Sequence, residues 1–121
     1  MARPEAVRRI KSYSAATGYV YQYHFHEVQK SRRGLSAGTE YVYLVSADRQ
    51  TSFPLRIFVR RATVEKWGKK IGREMTGTEE YAVAKMRLFQ AFDETPELAA
   101  NSSDLIVDES NLKTLLQQLA L

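Results

Sequence analysis

Cysteine is absent from this sequence, and histidine occurs only at positions 24 and 26. Without cysteine, disulfide bonds, thiolate metal sites and cysteine nucleophiles are all excluded. No uninterrupted apolar segment approaches the roughly 20 residues that a membrane-spanning helix needs. The charged N-terminus is not followed by the apolar run of a secretory signal. We therefore expect a cytoplasmic protein that has no membrane partner.

Four serines and one glycine-containing segment lack the motifs of common enzymes and cofactor sites. Ser12, Ser14, Ser46 and Ser52 lack the Gly-x-Ser-x-Gly surroundings of a hydrolase nucleophile. The glycine-containing segment 72–78 lacks the Gly-Lys-Ser/Thr ending of a phosphate-binding loop. Adjacent carboxylates at 79 and 80 diverge around a helix and suit its N-terminus better than acid–base chemistry. We predict a protein that is not an enzyme and needs no cofactor.

The two histidines raise the question of a metal site. At positions i and i+2 of a strand, His24 and His26 would point the same way, and Glu27 would point the other way. A stable site usually wants a third ligand and outer-shell partners, and Glu40 is the nearest candidate. The simpler interpretation is two histidines on a sheet surface, so we predict no metal.

Positive and negative charge are unevenly distributed along the 121 residues. Residues 1–73 hold fifteen Lys/Arg against five Asp/Glu, whereas residues 74–121 hold three against nine. A basic half is typical of proteins with a phosphate-rich or otherwise acidic partner. The alternative is that the two halves attract each other within one fold or between subunits.

Alternating side chains predict three strands, over residues 19–28, 39–47 and 53–60. The first carries Tyr19, Tyr21, Tyr23 and Phe25 on one face. Exposed tyrosines on a sheet can stack single-stranded bases, but aromatic residues also fill cores. The choice depends on strand register, which the pattern does not fix. We interpret segment 30–38 as a long exposed basic loop.

Helical spacing predicts helices over residues 4–11, 64–71, 76–93 and 108–121, with a short strand at 105–107 between the last two. Thr63 and Gly72 would cap the second helix, and Thr76 with Glu79 would form a capping box on the third. The resulting fold class is α+β: a three-stranded antiparallel meander with helices packed on one face, in the order (α)βββααα. We expect one domain over residues 1–121, with residues 1–17 as a loosely ordered arm.

A basic stripe is the strongest functional indication. Its members on the second predicted helix fall roughly opposite the apolar positions, and two arginines of the 30–38 loop would extend it: Lys66, Lys69, Lys70, Arg73, Arg32 and Arg33. Such a stripe suits contacts with nucleic-acid phosphates, so electrostatic nucleic-acid binding is our first hypothesis. The alternative is a solvated helix face that keeps the protein soluble.

The second hypothesis is a protein-interaction or homo-oligomerisation module. The last predicted helix carries an apolar stripe of Leu112, Leu115, Leu116 and Leu119. If this stripe is wider than one small core requires, part of it would face a second copy of the chain.

Overall fold

The computed structural model describes residues 9–95, 98–99 and 105–119. Within these ranges the chain forms five strands and three helices. In chain order they are β1 (Lys11–Ser14), β2 (Val20–Arg33), β3 (Ser36–Ser46), β4 (Phe53–Arg60), α1 (Arg61–Ile71), α2 (Gly77–Glu94), β5 (Leu105–Val107) and α3 (Leu112–Gln118). None of these helices is long and apolar enough to cross a membrane.

The five strands form one mixed sheet in the order β1-β2-β3-β4-β5, curled into a half-barrel. Neighbours from β1 to β4 are antiparallel, whereas β5 runs parallel to β4. The predicted three-stranded meander with the order (α)βββααα is therefore wrong. Strand β5 reaches β4 only after the chain has passed through α1 and α2, and such a crossover leaves no local signal in the sequence.

Strand β1 replaces part of the predicted N-terminal structure. Most of the helix predicted for residues 4–11 lies outside the described residues, but Lys11 belongs to β1, and the loop predicted for 12–18 begins as strand. The sequence Lys-Ser-Tyr-Ser contains one apolar side chain, too few to show an alternation. That side chain holds the strand in place: Tyr13 stacks on Phe89 at 4.4 Å and donates a hydrogen bond to Asp93 at 2.7 Å.

The inner face of the sheet packs against α2 and forms the core. Tyr21, Tyr23, Tyr41 and Tyr43 are all at most 5% exposed, so these tyrosines are core residues and cannot stack bases. From α2, buried side chains including Leu88 and Phe92 complete the cluster. Tyr19, in contrast, is 39% exposed.

The segment predicted as a long loop is a tight hairpin. Arg33 pairs with Ser36, which leaves Gly34 and Leu35 as the turn. Gly34 has φ 61°, a conformation that glycine adopts without steric cost at the first position of a two-residue turn. Arg32 and Arg33 therefore lie on a strand, where consecutive side chains point to opposite faces.

Gly38 on β3 lies too close to β4 to carry a side chain. A Cβ atom placed there would approach Phe58 Cζ to 2.7 Å and would collide with the carbonyl oxygen of Val59. The Phe58 ring, which is 0% exposed, occupies the space instead. Strands β3 and β4 can therefore pair at this position only because residue 38 has no side chain.

Helix ends follow the sequence signals in two of three cases. The capping box of α2 is confirmed, because Thr76 Oγ1 accepts from Glu79 N at 3.1 Å and Glu79 Oε1 accepts from Thr76 N at 2.9 Å. Gly72 ends α1 with φ 94°, as predicted. The prediction that Thr63 caps α1 is wrong: α1 starts at Arg61 directly after β4, and Thr63 is buried inside its first turn.

Acid should weaken this capping interaction. Two hydrogen bonds from Arg73, then the one from Thr76 N, lower the pKa of Glu79 from 4.5 to about 2. As the pH falls below 4.5, Glu79 binds a proton in the unfolded chain while it remains ionised in the folded chain. The folded state is therefore destabilised progressively toward pH 2. We expect Glu79→Gln to lower the melting temperature near neutral pH and to reduce its further drop on acidification. Thermal melts near neutral pH and near pH 3 would measure both effects.

Glu27→Gln is the matched control, since Glu27 is an exposed carboxylate on β2 outside any cap. Its melting temperature should fall between neutral pH and pH 3 by as much as that of the wild type. If the melting temperature of the Glu79→Gln variant fell by the same amount, Glu79 would not be the source of the acid sensitivity.

Candidate binding groove

Helices α1 and α3 leave the sheet at the same end. Helix α1 follows β4 with no intervening residue, and α3 follows β5 after a turn at 108–111. Because β4 and β5 are adjacent parallel strands, both helices start at carboxyl ends that lie side by side.

A groove of 410 Å³ lies between these two helices. We call it the α1–α3 groove. Its apolar lining comes from both helices: Trp67, Ile71, Leu112 and Leu116. Ile71 is 53% exposed, a high value for a large aliphatic side chain next to a tryptophan. Ile71 and part of Trp67 supply most of the exposed apolar surface, whereas Leu112 and Leu116 are largely buried.

Three lysines border the groove, Lys66 and Lys70 from α1 and Lys113 from α3. All three are exposed, and none has an ion-pair partner within the described part of the chain. The one lining carboxylate, Glu109, is held by Arg60 at 3.1 Å. The rim is therefore positive, and its single negative charge is neutralised from outside.

Thr63 adds an unusual polar atom to the α1 side of the groove. Its Oγ1 is buried and has no hydrogen-bond partner among residues 9–95, 98–99 and 105–119. A buried hydroxyl without a partner costs stability, on the order of 1–3 kcal/mol.

Arg73 does not extend the basic stripe. Its guanidinium donates to both carboxylate oxygens of Glu79 at 2.8 and 2.7 Å and lies 5.2 Å from the centre of the Trp67 ring. It thereby fixes the turn between α1 and α2 and supports the tryptophan of the groove. Its charge is thus paired with a carboxylate, while about half of the side chain stays exposed.

Arg33 is also engaged within the fold. It lies 5.0 Å from the centre of the Phe58 ring and donates to Glu40 Oε2 at 3.4 Å and to the Leu105 carbonyl at 3.1 Å. These contacts tie the end of β2 to β5 across the outer face of the sheet. Arg32, exposed on the opposite face of β2, donates to the Leu35 carbonyl at 3.4 Å.

The six predicted site residues thus do not form one surface. Lys69 lies on the other flank of α1, in a separate cleft that it shares with Glu65, Gly68 and Glu74. Of the six, Lys66 and Lys70 border the α1–α3 groove, whereas Lys69 and Arg73 line the second cleft together with the carboxylates of Glu65 and Glu74. The structure adds Lys113 to the groove, from a distant part of the chain.

The leucine stripe of the last helix is mostly used inside the chain. Leu112, Leu115 and Leu116 are 6%, 0% and 8% exposed, and Leu119 packs partly buried on the same core. Helix α3 begins later than the predicted 108, since residues 108–111 form a turn, and it ends at Gln118; residues 120–121 lie outside the described ranges. What remains accessible of Leu112 and Leu116 lines the groove.

His26 has no cross-strand partner on β3. A bulge between Phe25 and Glu27 shifts the register, so that His24 opposite Leu44 and Glu27 opposite Val42 lie on the same side of the sheet. The described residues contain no group of three His, Cys, Asp or Glu side chains that would hold a metal ion.

One motif escaped sequence reasoning: residues 34–38 read Gly-Leu-Ser-Ala-Gly. A nucleophile elbow requires a strand, a sharp turn and then a helix, but here Ser36 follows a hairpin turn and begins β3. The nearer histidine along the paired strand, His26, precedes Arg33 by seven residues, a distance of about 23 Å. This serine has no histidine base.

The groove residues that sequence reasoning missed are Lys113 and the exposed side of Trp67 and Ile71. Helical spacing assigns Trp67 and Ile71 to the apolar side of α1. It cannot show that α3, the other wall of the groove, leaves part of this side exposed. No family model, curated protein or solved structure matches the chain.

Proposed function

We propose that this protein is a non-enzymatic binding domain that holds a protein partner in the α1–α3 groove. The observation that carries this proposal is an open groove between α1 and α3. Its apolar floor consists of exposed Ile71, partly exposed Trp67 and the accessible edges of Leu112 and Leu116, and three lysines without ion-pair partners in the described chain border it. An aromatic and aliphatic centre with a polar rim is the usual composition of a protein interface. A cytoplasmic location, expected from the sequence, is part of the same proposal.

Electrostatic nucleic-acid binding is the second candidate. It is favoured by one observation: Lys66, Lys69 and Lys70 are exposed and have no carboxylate within ion-pair distance in the part of the chain that the structure describes. Phosphates would satisfy these charges, but they would leave the apolar floor exposed to water. A protein partner accounts for both the charge and the apolar surface, so we place it first.

The two functions differ in what they require of Lys69. Trp67 is the only tryptophan of the chain, so its fluorescence reports on the groove. Titration with anilinonaphthalene sulfonate, an apolar anion, should change this emission saturably. Reversing the charge of both groove lysines, in Lys66→Glu with Lys70→Glu, should weaken dye binding by about tenfold or more, because the sulfonate would then face carboxylates. A tenfold loss corresponds to about 1.4 kcal/mol. Lys69→Glu, a change of the same type on the same helix, should leave the affinity unchanged.

Random duplex DNA is the second probe for the same variants, titrated across a salt series. If phosphates are the natural ligand, both variants should lose DNA affinity, and the salt slope should fall by about one for each lysine replaced. A loss of DNA affinity in Lys69→Glu as large, per lysine, as in the double variant, together with no saturable dye binding, would replace the protein-partner proposal by the nucleic-acid one.

A further inference from the structure

We infer that the occupant of the α1–α3 groove is an acidic amphipathic α-helix contributed by another protein. This inference rests on the proposed function and specifies the chemistry of the partner. Three properties of the groove lead to it: the nature of its walls, the arrangement of its charges and its length.

The walls favour a helix over an extended peptide. Both are α-helices, whose interior N–H and C=O groups are paired within each helix. The groove therefore offers no strand edge to which an extended segment could add. An extended backbone lying on Trp67 and Leu116 would leave its polar groups without partners, whereas a helix satisfies its own.

The charges favour acidic flanks on both sides of that helix. Lys66 and Lys70 stand one turn apart on the α1 wall, and Lys113 stands on the α3 wall. The Arg60–Glu109 pair at 3.1 Å removes the single lining carboxylate from competition. A complementary helix thus carries an apolar stripe with Asp or Glu on either side of it.

The length sets the size of the contact. The α1 wall runs from Thr63 to Ile71, which at about 1.5 Å per residue is about 12 Å, or a little over two turns. Two turns present apolar anchors at positions i, i+3 or i+4, and i+7.

A second copy of this chain is a poorer occupant. Helices α1 and α3 carry lysines toward the groove, so their own copies would repel it. Helix α2 has Glu79 and Glu80 at its start, but its apolar stripe is buried in the core of its own chain, including Val83, Leu88 and Phe92. No helix among the described residues is both acidic and apolar on an accessible face.

The test uses the full chain and a designed fluorescent peptide of about 16 residues, long enough for a stable contact over the two groove turns. The peptide has leucine at i, i+3, i+4 and i+7 and glutamate on both flanks. One control peptide redistributes the same residues so that no stripe forms, and another replaces every glutamate by lysine. Binding is followed by fluorescence anisotropy at low salt.

We expect saturable binding of the acidic peptide and a loss of about tenfold or more for the redistributed control. The variant with both Lys66→Glu and Lys70→Glu should lose the acidic peptide and gain the lysine-flanked one, and such a reversal requires direct charge pairing. Ile71→Glu should bind neither peptide, and Lys69→Glu should bind the acidic peptide as the wild type does. Thermal melts establish that each variant is folded.

Equal binding of the striped and redistributed peptides would overturn the inference, as would an equal loss at Lys69. If the dye binds in the groove but the acidic peptide does not, the helix assignment fails and the proposed function stands. If neither binds, both fail.

Discussion

Replacing Phe92 by alanine is expected to lower the free energy of unfolding by about 3–5 kcal/mol, the range for a large aromatic lost from a core. Phe92 on α2 is 0% exposed. Its ring stacks on Tyr21 at 4.5 Å with an interplanar angle of 10° and lies 5.4 Å from the ring of Tyr13. One side chain thus joins α2 to β1 and β2, and its removal would leave a cavity that these rings cannot fill.

Denaturant unfolding measures this loss, with Phe89→Ala as the matched control. Phe89 lies on the same helix and stacks on Tyr13, but it is only partly buried. Its truncation should therefore cost clearly less. Since whole domains are stable by only about 5–15 kcal/mol, Phe92→Leu provides a milder variant that should still fold. Equal losses for Phe92→Ala and Phe89→Ala would show that the centre of the core lies elsewhere.

Gly38→Ala should cost about 3 kcal/mol, at the upper end of what overpacking usually costs. The added methyl group meets the Val59 carbonyl and the Phe58 ring at 2.7 Å from Cζ. The ring can turn away, but the carbonyl belongs to the strand that pairs with β3. Relief therefore requires β3 and β4 to separate, which weakens the centre of the sheet.

Gly77→Ala is the control for this substitution. A Cβ at position 77, the first residue of α2, meets nothing within 4 Å. Alanine there should be neutral or slightly stabilising, because it restricts the unfolded chain. The double variant Gly38→Ala with Phe58→Leu separates the two causes of this loss in unfolding free energy. Stability regained relative to the two single variants is due to the Phe58 ring, and the remaining loss is due to the Val59 carbonyl. A neutral Gly38→Ala would contradict the close approach of the two strands.

Elements with a repeated local signal were the predictable part of the fold. The alternating aromatic side chains of β2 are typical of a strand, and the Thr76–Glu79 capping box indicates where α2 begins. The short strand predicted at residues 105–107 is also present as β5. What failed were features set by distant contacts: the pairing of β5 with β4, and a first strand with only Tyr13 to mark it. The Gly34–Leu35 turn was missed because it lacks the Asn-Gly or Asp-Gly signature of a tight hairpin.

The candidate site was predictable only in part, for a related reason. Spacing along one helix identified Lys66 and Lys70, but it could not distinguish them from Lys69, since all three are exposed on the same helix. Nor could it show that Arg33 and Arg73 are each held by a carboxylate, at 3.4 and 2.7 Å. A sequence gives the charge of a side chain, whereas its availability depends on neighbours brought together by folding.

The parallel pairing of β4 with β5 has a consequence for how this groove can change. Backbone hydrogen bonds hold the two strands about 4.8 Å apart, and each strand leads almost directly into one of the facing helices. The separation of the helices is thus inherited from the main chain rather than from the residues that would touch an occupant. The exposed lining residues Lys66, Lys70, Ile71 and Lys113 can therefore be replaced while the two helices keep their separation, and the same scaffold would then bind a different partner.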